Sequence, residues 1–187
     1  MLERYLIEHC SPTLASIKTA NLFNMPYDSW EGLESQLESL TQQFAEKGIS
    51  LSVVRKREGT ALIYVYRRQK LKEDLARPGV AGFLEGCGYT DIDVDRAIKR
   101  LRMRLEKGED FPHEIGLFLG YPLGDVRGFI ENAGKNSKCA GCWKVYCNEC
   151  ETMKLFKKFR KCREIYLRLW QQGRPITRFE NEGGGKD

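Results

Sequence analysis

The chain of 187 residues has only two histidines, His9 and His113, and no long apolar segment. Two histidines are too few for a histidine-rich iron or haem site. A membrane-spanning helix needs about 20 consecutive apolar residues, and no run approaches that length, so we expect no membrane partner. A glycine-rich phosphate loop is also missing, because the segment "GYPLGDVRG" lacks the Lys-Ser/Thr ending of such loops.

The first residues, "MLERYLIEHCSP", form a short segment with acidic side chains, which is not typical of a signal peptide. We therefore expect a cytoplasmic protein. In that compartment the seven cysteines would be free thiols, metal ligands or redox groups rather than structural disulfides.

Charge and hydrophobicity are those of an ordinary globular domain, with a net charge of +5 and 41% hydrophobic residues. We predict one domain at 1–182 and a disordered glycine-rich tail at 183–187. Basic residues concentrate in "KLFKKFRKCREIYLRLW" at 154–170. This cationic face could bind an acidic protein such as a flavodoxin. The interleaved aromatic residues fit half-buried surfaces at least as well as nucleic-acid stacking, so we expect no nucleic-acid partner.

Helix and strand signals alternate along the chain, which predicts an α+β fold with a small antiparallel sheet packed against helices. Ser11-Pro12 resembles an N-cap followed by a first-turn proline and predicts a helix through about Phe23. The strongest hairpin signal is the pair of β-rich runs on either side of Glu58-Gly59. Further helices are predicted at about 29–47, 71–87 with a break at Pro78-Gly79, 93–107, 122–134 and 151–172, and further strands at 114–120 and 142–146.

Four segments resemble a family of uncharacterised bacterial proteins, the domain-of-unknown-function family 3793 (DUF3793). They are "HCSPTLASIKTANLF" at 9–23, "LIYVYRRQKL" at 62–71, "FPHEIGLFLGYPLGDVRGFIENAG" at 111–134 and "WKVY" at 143–146. The resemblance spans the chain and implies an origin in anaerobic Firmicutes with an iron or redox setting, but it implies no activity. Cys147 and Cys150 depart from the family pattern, which has few cysteines around "WKVY".

A thiol nucleophile is the first functional hypothesis. Cys10 precedes the predicted N-cap Ser11, and a sulfur near the positive end of a helix dipole has a lowered pKa. His113, at the start of a predicted strand, is the candidate general base. The candidates to orient its imidazole are Asp125, Asn132 and Glu114. The alternative is a small buried side chain for Cys10 and a hydrogen-bonded histidine that fixes the turn at Pro112.

Two short segments are similar to those of papain-like cysteine enzymes, including the NlpC/P60 hydrolases. "HCSPTL" at 9–14 resembles their cysteine segment and "HEIGLFLG" at 113–120 resembles their histidine strand. The resemblance implies a papain-like arrangement and a thiol-dependent acyl-transfer enzyme, either a hydrolase or an amide-forming transferase. It implies a small-molecule or peptidyl acyl substrate and no cofactor.

A cysteine cluster supports a second hypothesis. Two Cys-x-x-Cys pairs, formed by Cys139, Cys142, Cys147 and Cys150, have the ligands for zinc or an iron–sulfur centre. Only "WKVY" separates the pairs, and a strand of that length spans about 13 Å, which would hold them apart. One pair could instead act as a redox dithiol. The alternative function is therefore a non-catalytic iron- or zinc-binding protein, or a flavodoxin-associated redox accessory protein.

Overall fold

The fold is described from a computed structural model of the chain, covering residues 1–107 and 111–179. The tail predicted at 183–187 lies outside the described residues. In chain order the elements are α1 (Leu2–Leu14), β1 (Ala20–Pro26), α2 (Trp30–Ala45), β2 (Ile49–Arg57), β3 (Thr60–Arg67), α3 (Arg68–Leu75), α4 (Val80–Gly86), α5 (Val94–Lys107), α6 (Ile115–Phe118), α7 (Leu123–Glu131), β4 (Cys139–Ala140), β5 (Lys144–Val145), α8 (Glu149–Gln171) and a 3-10 turn (Ile176–Arg178).

The main sheet is antiparallel, with β3 at its centre and β1 and β2 on either side. A tight turn joins β2 to β3, and Gly59 in this turn has a φ of +68°. Glycine adopts this left-handed conformation without steric cost, whereas other residues rarely do. The hairpin predicted around Glu58-Gly59 is therefore confirmed.

The central strand β3 is buried on both faces of the sheet. Alternate side chains point to opposite sides: Ala61, Ile63 and Val65 pack into one core, and Leu62, Tyr64 and Tyr66 pack into the other. The first core is completed by α1, α2 and α8, and the second by α3 to α7. Helices thus cover both faces, and the predicted α+β class with a small antiparallel sheet is confirmed.

Several predicted helices are also confirmed, and their ends lie close to the predicted positions. The Ser29 hydroxyl accepts a hydrogen bond from the Gly32 amide at 3.2 Å and caps α2. Gly79, with a φ of +81°, separates α3 from α4 where the break was predicted. The helices predicted at 93–107, 122–134 and 151–172 correspond to α5, α7 and α8. No helix within residues 1–107 and 111–179 is both long and apolar enough to cross a membrane.

The helix predicted to begin at Ser11 is wrong. Helix α1 ends where the predicted helix would begin, and Pro12 lies inside its last turn. The Ser11 hydroxyl donates to the Ile7 carbonyl one turn earlier instead of capping a new helix. The stretch expected to be helical contains the first part of β1, which begins at Ala20. Capping residues thus misled the prediction, because the apolar stripe of α1 buries against the sheet and determines the local structure.

The strand predicted at 114–120 is also wrong. This run folds as the short helix α6 and ends at Gly120, which has a φ of +81°. A short, wholly apolar run has the same appearance in a buried strand and in a buried helix, so periodicity cannot distinguish them. The Phe118 carbonyl accepts a hydrogen bond from the Tyr64 hydroxyl at 2.6 Å, which ties α6 to the sheet. His113 therefore lies before a helix, and the papain-like arrangement with a histidine strand is not present here.

The strand predicted at 142–146 is the second strand of a small hairpin. Cys139 pairs with Val145 and Ala140 pairs with Lys144, so β4 and β5 form a separate two-stranded sheet. The chain therefore folds back on itself between the first and last cysteines of the cluster, and the 139–150 segment is not one extended strand.

Candidate functional site

A cavity of about 340 Å³ lies where α6 and α7 meet the β4–β5 hairpin. Its apolar wall contains Phe111, Ile115, Tyr121, Val126, Phe129 and Trp143, and its polar or charged lining contains His113, Asp125, Cys142 and Lys144. A mostly apolar cavity with a few convergent polar groups is typical of a small-molecule site, and its volume is within the usual range.

Glycines in "GLFLGYPLGDVRG" allow the two helices and the hairpin to approach closely. A Cβ on Gly116 would lie 2.8 Å from Val126 Cγ2 and 3.0 Å from Tyr121 Cδ2. A Cβ on Gly128 would lie 2.4 Å from Tyr146 Cγ. Real Cβ atoms do not approach this closely, so packing of the pocket wall requires these glycines.

Asp125 fastens the hairpin to α7. Its side chain is buried and accepts hydrogen bonds from Trp143 Nε1 at 2.7 Å, from the Tyr146 amide at 2.7 Å and from the Cys147 amide at 2.8 Å. The Cys147 thiol donates to the same carboxylate at 3.1 Å. Both carboxylate oxygens are therefore occupied by the hairpin. Asp125 was predicted to orient the imidazole of His113, and the structure gives it this different contact set.

His113 is exposed in the turn before α6, and its ring lies 5.0 Å from that of Phe129, centroid to centroid. Asn132 and Glu114, the other two residues predicted to orient this imidazole, make hydrogen bonds or ion pairs with other groups. The Asn132 side chain donates to a carbonyl one turn earlier in α7 at 2.8 Å. The Glu114 carboxylate is buried in an ion pair with Arg104. The His113 imidazole is thus held by aromatic packing rather than by any of the three predicted partners.

Cys10 lies inside α1 with 0% of its surface exposed. It packs into the core that α1, α2 and α8 form on the sheet, and this burial raises the pKa of its thiol well above the usual range. The neighbouring His9 is exposed and stacks on Phe23. The structure does not bring Cys10 together with His113, because the cavity that holds His113 is formed by α6, α7 and the hairpin. Cys10 has the environment of a structural core cysteine.

Cys142 is exposed in the turn between β4 and β5 and lines the same cavity as His113. A Cβ on the preceding Gly141 would lie 2.3 Å from Phe156, so the turn needs glycine to sit against α8. The next residue, Trp143, stacks on Tyr121 with ring centroids 4.4 Å apart. These contacts of the two flanking residues hold the turn that carries Cys142 at the cavity edge. Sequence reasoning considered Cys142 as a metal ligand or as part of a redox dithiol and did not pair it with His113.

The other cysteines of the cluster have separate environments. Cys139 is half-buried in β4, and Cys150 is exposed in the first turn of α8. Burial, together with the bond to Asp125, raises the pKa of the Cys147 thiol to about 11. In the part of the chain that the structure describes, no three His, Cys, Asp or Glu side chains form a group that could hold a metal ion. The zinc or iron–sulfur site therefore stays a prediction.

A buried lysine lies behind the aromatic wall. Lys18 is 7% exposed, its ammonium donates to the Ala20 carbonyl and its Nζ lies 5.4 Å from the centroid of the Tyr121 ring. Burial lowers the pKa of Lys18 to about 8. Burial also raises the pKa of the Tyr121 phenol to about 12, so this group stays protonated near neutral pH. Sequence reasoning missed Lys18 because it is in a loop with no recognisable motif.

Comparison with known families identifies the chain. The family model described as "Protein of unknown function (DUF3793)" matches residues 6–179. The chain therefore belongs to this family, and the resemblance found in the sequence is confirmed. Neither the curated proteins nor the solved structures include a match.

Proposed function

We propose that the protein is a thiol-dependent acyl-transfer enzyme in which Cys142 is the nucleophile and His113 the general base. One observation carries the proposal: an exposed thiol and an exposed imidazole line the same apolar cavity of about 340 Å³. The reaction class and the base are those predicted from the sequence. The nucleophile differs, because the fully buried Cys10 has no access to a substrate.

The proposed reaction has two steps. His113 accepts the proton of the Cys142 thiol, and the sulfur forms a bond to the carbonyl carbon of the acyl donor. When the tetrahedral intermediate collapses, the bond to the leaving group breaks and the imidazolium returns the proton to that group. The thioester on Cys142 is then attacked by water, giving a hydrolase, or by an amine, giving an amide-forming transferase. His113 again takes the proton of the attacking group, and the thiol is regenerated.

The surrounding residues support this chemistry by position. Asp125 holds the hairpin that carries Cys142 and is a positioning residue. The stacked rings of Tyr121 and Trp143 form one apolar side of the cavity, and a bound substrate that displaces water from this side would strengthen electrostatic interactions there. Because the walls are aromatic and aliphatic, the proposed donor is a small-molecule or peptidyl acyl group with an apolar side chain.

The proposal is tested with p-nitrophenyl acetate, an activated ester that releases a coloured leaving group on acylation. The native protein should release about one equivalent in a burst, the kinetic sign of an acyl-enzyme. Cys142→Ala should lose the burst, and His113→Ala should slow it by about 100-fold or more. The matched control is Cys150→Ala, which removes an exposed thiol outside the cavity. A burst that survives in Cys142→Ala, or that Cys150→Ala reduces equally, contradicts the proposal.

The chemistry requires a reduced thiol, so the predicted cytoplasmic location is part of this proposal; all seven cysteines are free in the structure. The rival hypothesis from the sequence, a zinc or iron–sulfur accessory protein that partners a flavodoxin, makes a different prediction. Anaerobically purified protein would contain about one metal centre per chain and would lose stability on chelation, because metal binding is linked to folding. That result, together with no ester burst, would replace the enzyme proposal.

A further inference from the structure

A wider cavity, of about 880 Å³, lies where the end of β3 passes into α3. Five cationic side chains line it: Lys47, Arg67, Arg68, Lys70 and Lys72. Two carboxylates, Glu73 and Asp93, also line it, so the lining has three positive charges in excess. We call this cavity the basic groove. It shares no lining residue with the cavity of Cys142.

Arg67 makes the floor of the basic groove rigid. Its guanidinium donates to the carbonyls of Thr13 at 2.7 Å, Leu14 at 2.6 Å and Lys47 at 2.8 Å. These carbonyls belong to the end of α1 and the loop between α2 and β2, so one side chain joins three parts of the chain. The backbone around the groove is therefore fixed before any ligand arrives, which reduces the part of the binding entropy that would be lost in ordering it.

The lysines of the groove have no anionic partner of their own. Arg68 is neutralised by Asp95, with two hydrogen bonds of 2.5 and 2.7 Å. Within residues 1–107 and 111–179, by contrast, no hydrogen bond or ion pair involves the ammonium of Lys47, Lys70 or Lys72. Several unpaired cations facing one cavity create a positive potential that an anion relieves.

We propose that the basic groove binds the diphosphate group of a small anion, in particular a nucleoside diphosphate. Lys47, Lys70 and Lys72 supply charge-assisted donors for phosphate oxygens. The cavity is larger than a diphosphate alone requires, and its lining also includes the half-buried Ile92, which offers an apolar surface to the nucleoside. The sequence has no glycine-rich phosphate loop, and this site does not need one because side-chain cations replace backbone amides.

The test is isothermal titration calorimetry of the full chain with inorganic pyrophosphate and with ADP. Lys47→Gln and Lys72→Gln should each weaken binding of both ligands about tenfold, the loss expected for one charge-assisted hydrogen bond. The matched control is Lys157→Gln, which removes the same charge from the exposed face of α8 and should change affinity less than about twofold. Affinity should also fall as salt is added.

Tighter binding of ADP than of pyrophosphate assigns the site to nucleotides, and equal binding assigns it to the diphosphate anion itself; both support the proposal. Two results overturn it. One is no binding of either ligand at about millimolar concentration in low salt, where a groove of this charge should bind. The other is an equal loss in Lys157→Gln, which would show a general attraction of anions to a basic protein. Far-UV circular dichroism of each variant checks that it is folded.

Discussion

Cys10 and Cys142 are both free cysteines, yet the fold gives them opposite environments. Cys10 is enclosed between α1 and the sheet, with 0% exposure, and Cys142 is exposed in a hairpin turn beside a cavity. Cys10 has the more suggestive neighbours in sequence, with His9 before it and Ser11-Pro12 after it. The comparison shows that the burial of the whole element, and not adjacent residues, decides whether a thiol can react.

The cause of the difference is the way each segment is anchored. Helix α1 is held by its own apolar stripe, so residues on that stripe, Cys10 among them, are buried. The β4–β5 hairpin is held instead by Asp125 and by the packing of Trp143 and Val145. Its turn therefore stays at the surface while its base is fixed. An exposed but positioned thiol is the arrangement that nucleophilic catalysis requires.

Loss of the carboxylate anchor should have the largest effect on stability. Asp125→Ala leaves Trp143 Nε1 and the amides of Tyr146 and Cys147 without their acceptor, and we expect the free energy of unfolding to fall by about 3 kcal/mol or more. Urea denaturation measures this loss. Asp125→Asn is the matched control, because it keeps the shape and one acceptor oxygen and should lose less. Equal stability of Asp125→Ala and the native protein would show that the hairpin is held by packing alone.

The buried Lys18 should make the free energy of unfolding depend on pH. Its pKa is about 8 when folded, against 10.5 for an ordinary lysine. Below pH 8 the Lys18 amine is protonated in both the folded and the unfolded protein, and the buried charge lowers the stability of the folded protein. Above pH 8 Lys18 loses its proton in the folded protein before it does so in the unfolded chain. The unfolded chain then binds more protons, so the contribution of Lys18 to stability rises between about pH 8 and 10.5.

The variant Lys18→Met isolates this contribution. The native protein should gain about 2 kcal/mol relative to Lys18→Met between about pH 7.5 and 9.5, because each pKa unit corresponds to about 1.4 kcal/mol. Urea denaturation of both proteins at the two pH values gives the difference directly, and other titrating groups cancel in the comparison. A constant difference would mean that the Lys18 ammonium is not desolvated in the folded protein.

The smallest effect is expected for the buried thiol. Cys10→Ala removes one sulfur from a packed core and should lower the free energy of unfolding by about 1 kcal/mol, through lost packing and a small cavity. The rate of ester acylation at Cys142 should not change. Thermal denaturation and the p-nitrophenyl acetate burst are measured on the same preparation. A lost burst in a variant that remains folded would restore Cys10 as a catalytic residue.

Much of the fold is predictable because it follows from local patterns. The hairpin at Glu58-Gly59 and the break at Pro78-Gly79 each depend on residues next to one another in sequence, and the structure confirms both. The failures occur at α1 and α6, where burial by distant elements overrides the local signal. Ser11-Pro12 has good capping chemistry, but the packing of α1 on β1 and α8 decides that this segment continues the preceding helix.

The candidate site was less predictable than the fold. His113 could be selected because histidine is scarce, but its place in one cavity with Cys142 depends on α7 and on a hairpin later in the chain. Asp125 was selected as a partner of His113. In the structure its carboxylate accepts hydrogen bonds from two backbone amides instead, and no residue pattern predicts these bonds. Long-range contacts of this kind are set by the assembled core and leave no local signal.

The most direct test of the central claim is alkylation by iodoacetamide, with each cysteine followed by peptide mass in the native protein and in His113→Ala. The proposed mechanism predicts that Cys142 reacts at least about tenfold faster than Cys150, which is also exposed, near neutral pH. It also predicts that His113→Ala removes this advantage while Cys150 is unaffected, and that Cys10 reacts only after denaturation. If Cys142 reacts no faster than Cys150, or if Cys10 is labelled first in the folded protein, the assignment of Cys142 as the nucleophile is contradicted.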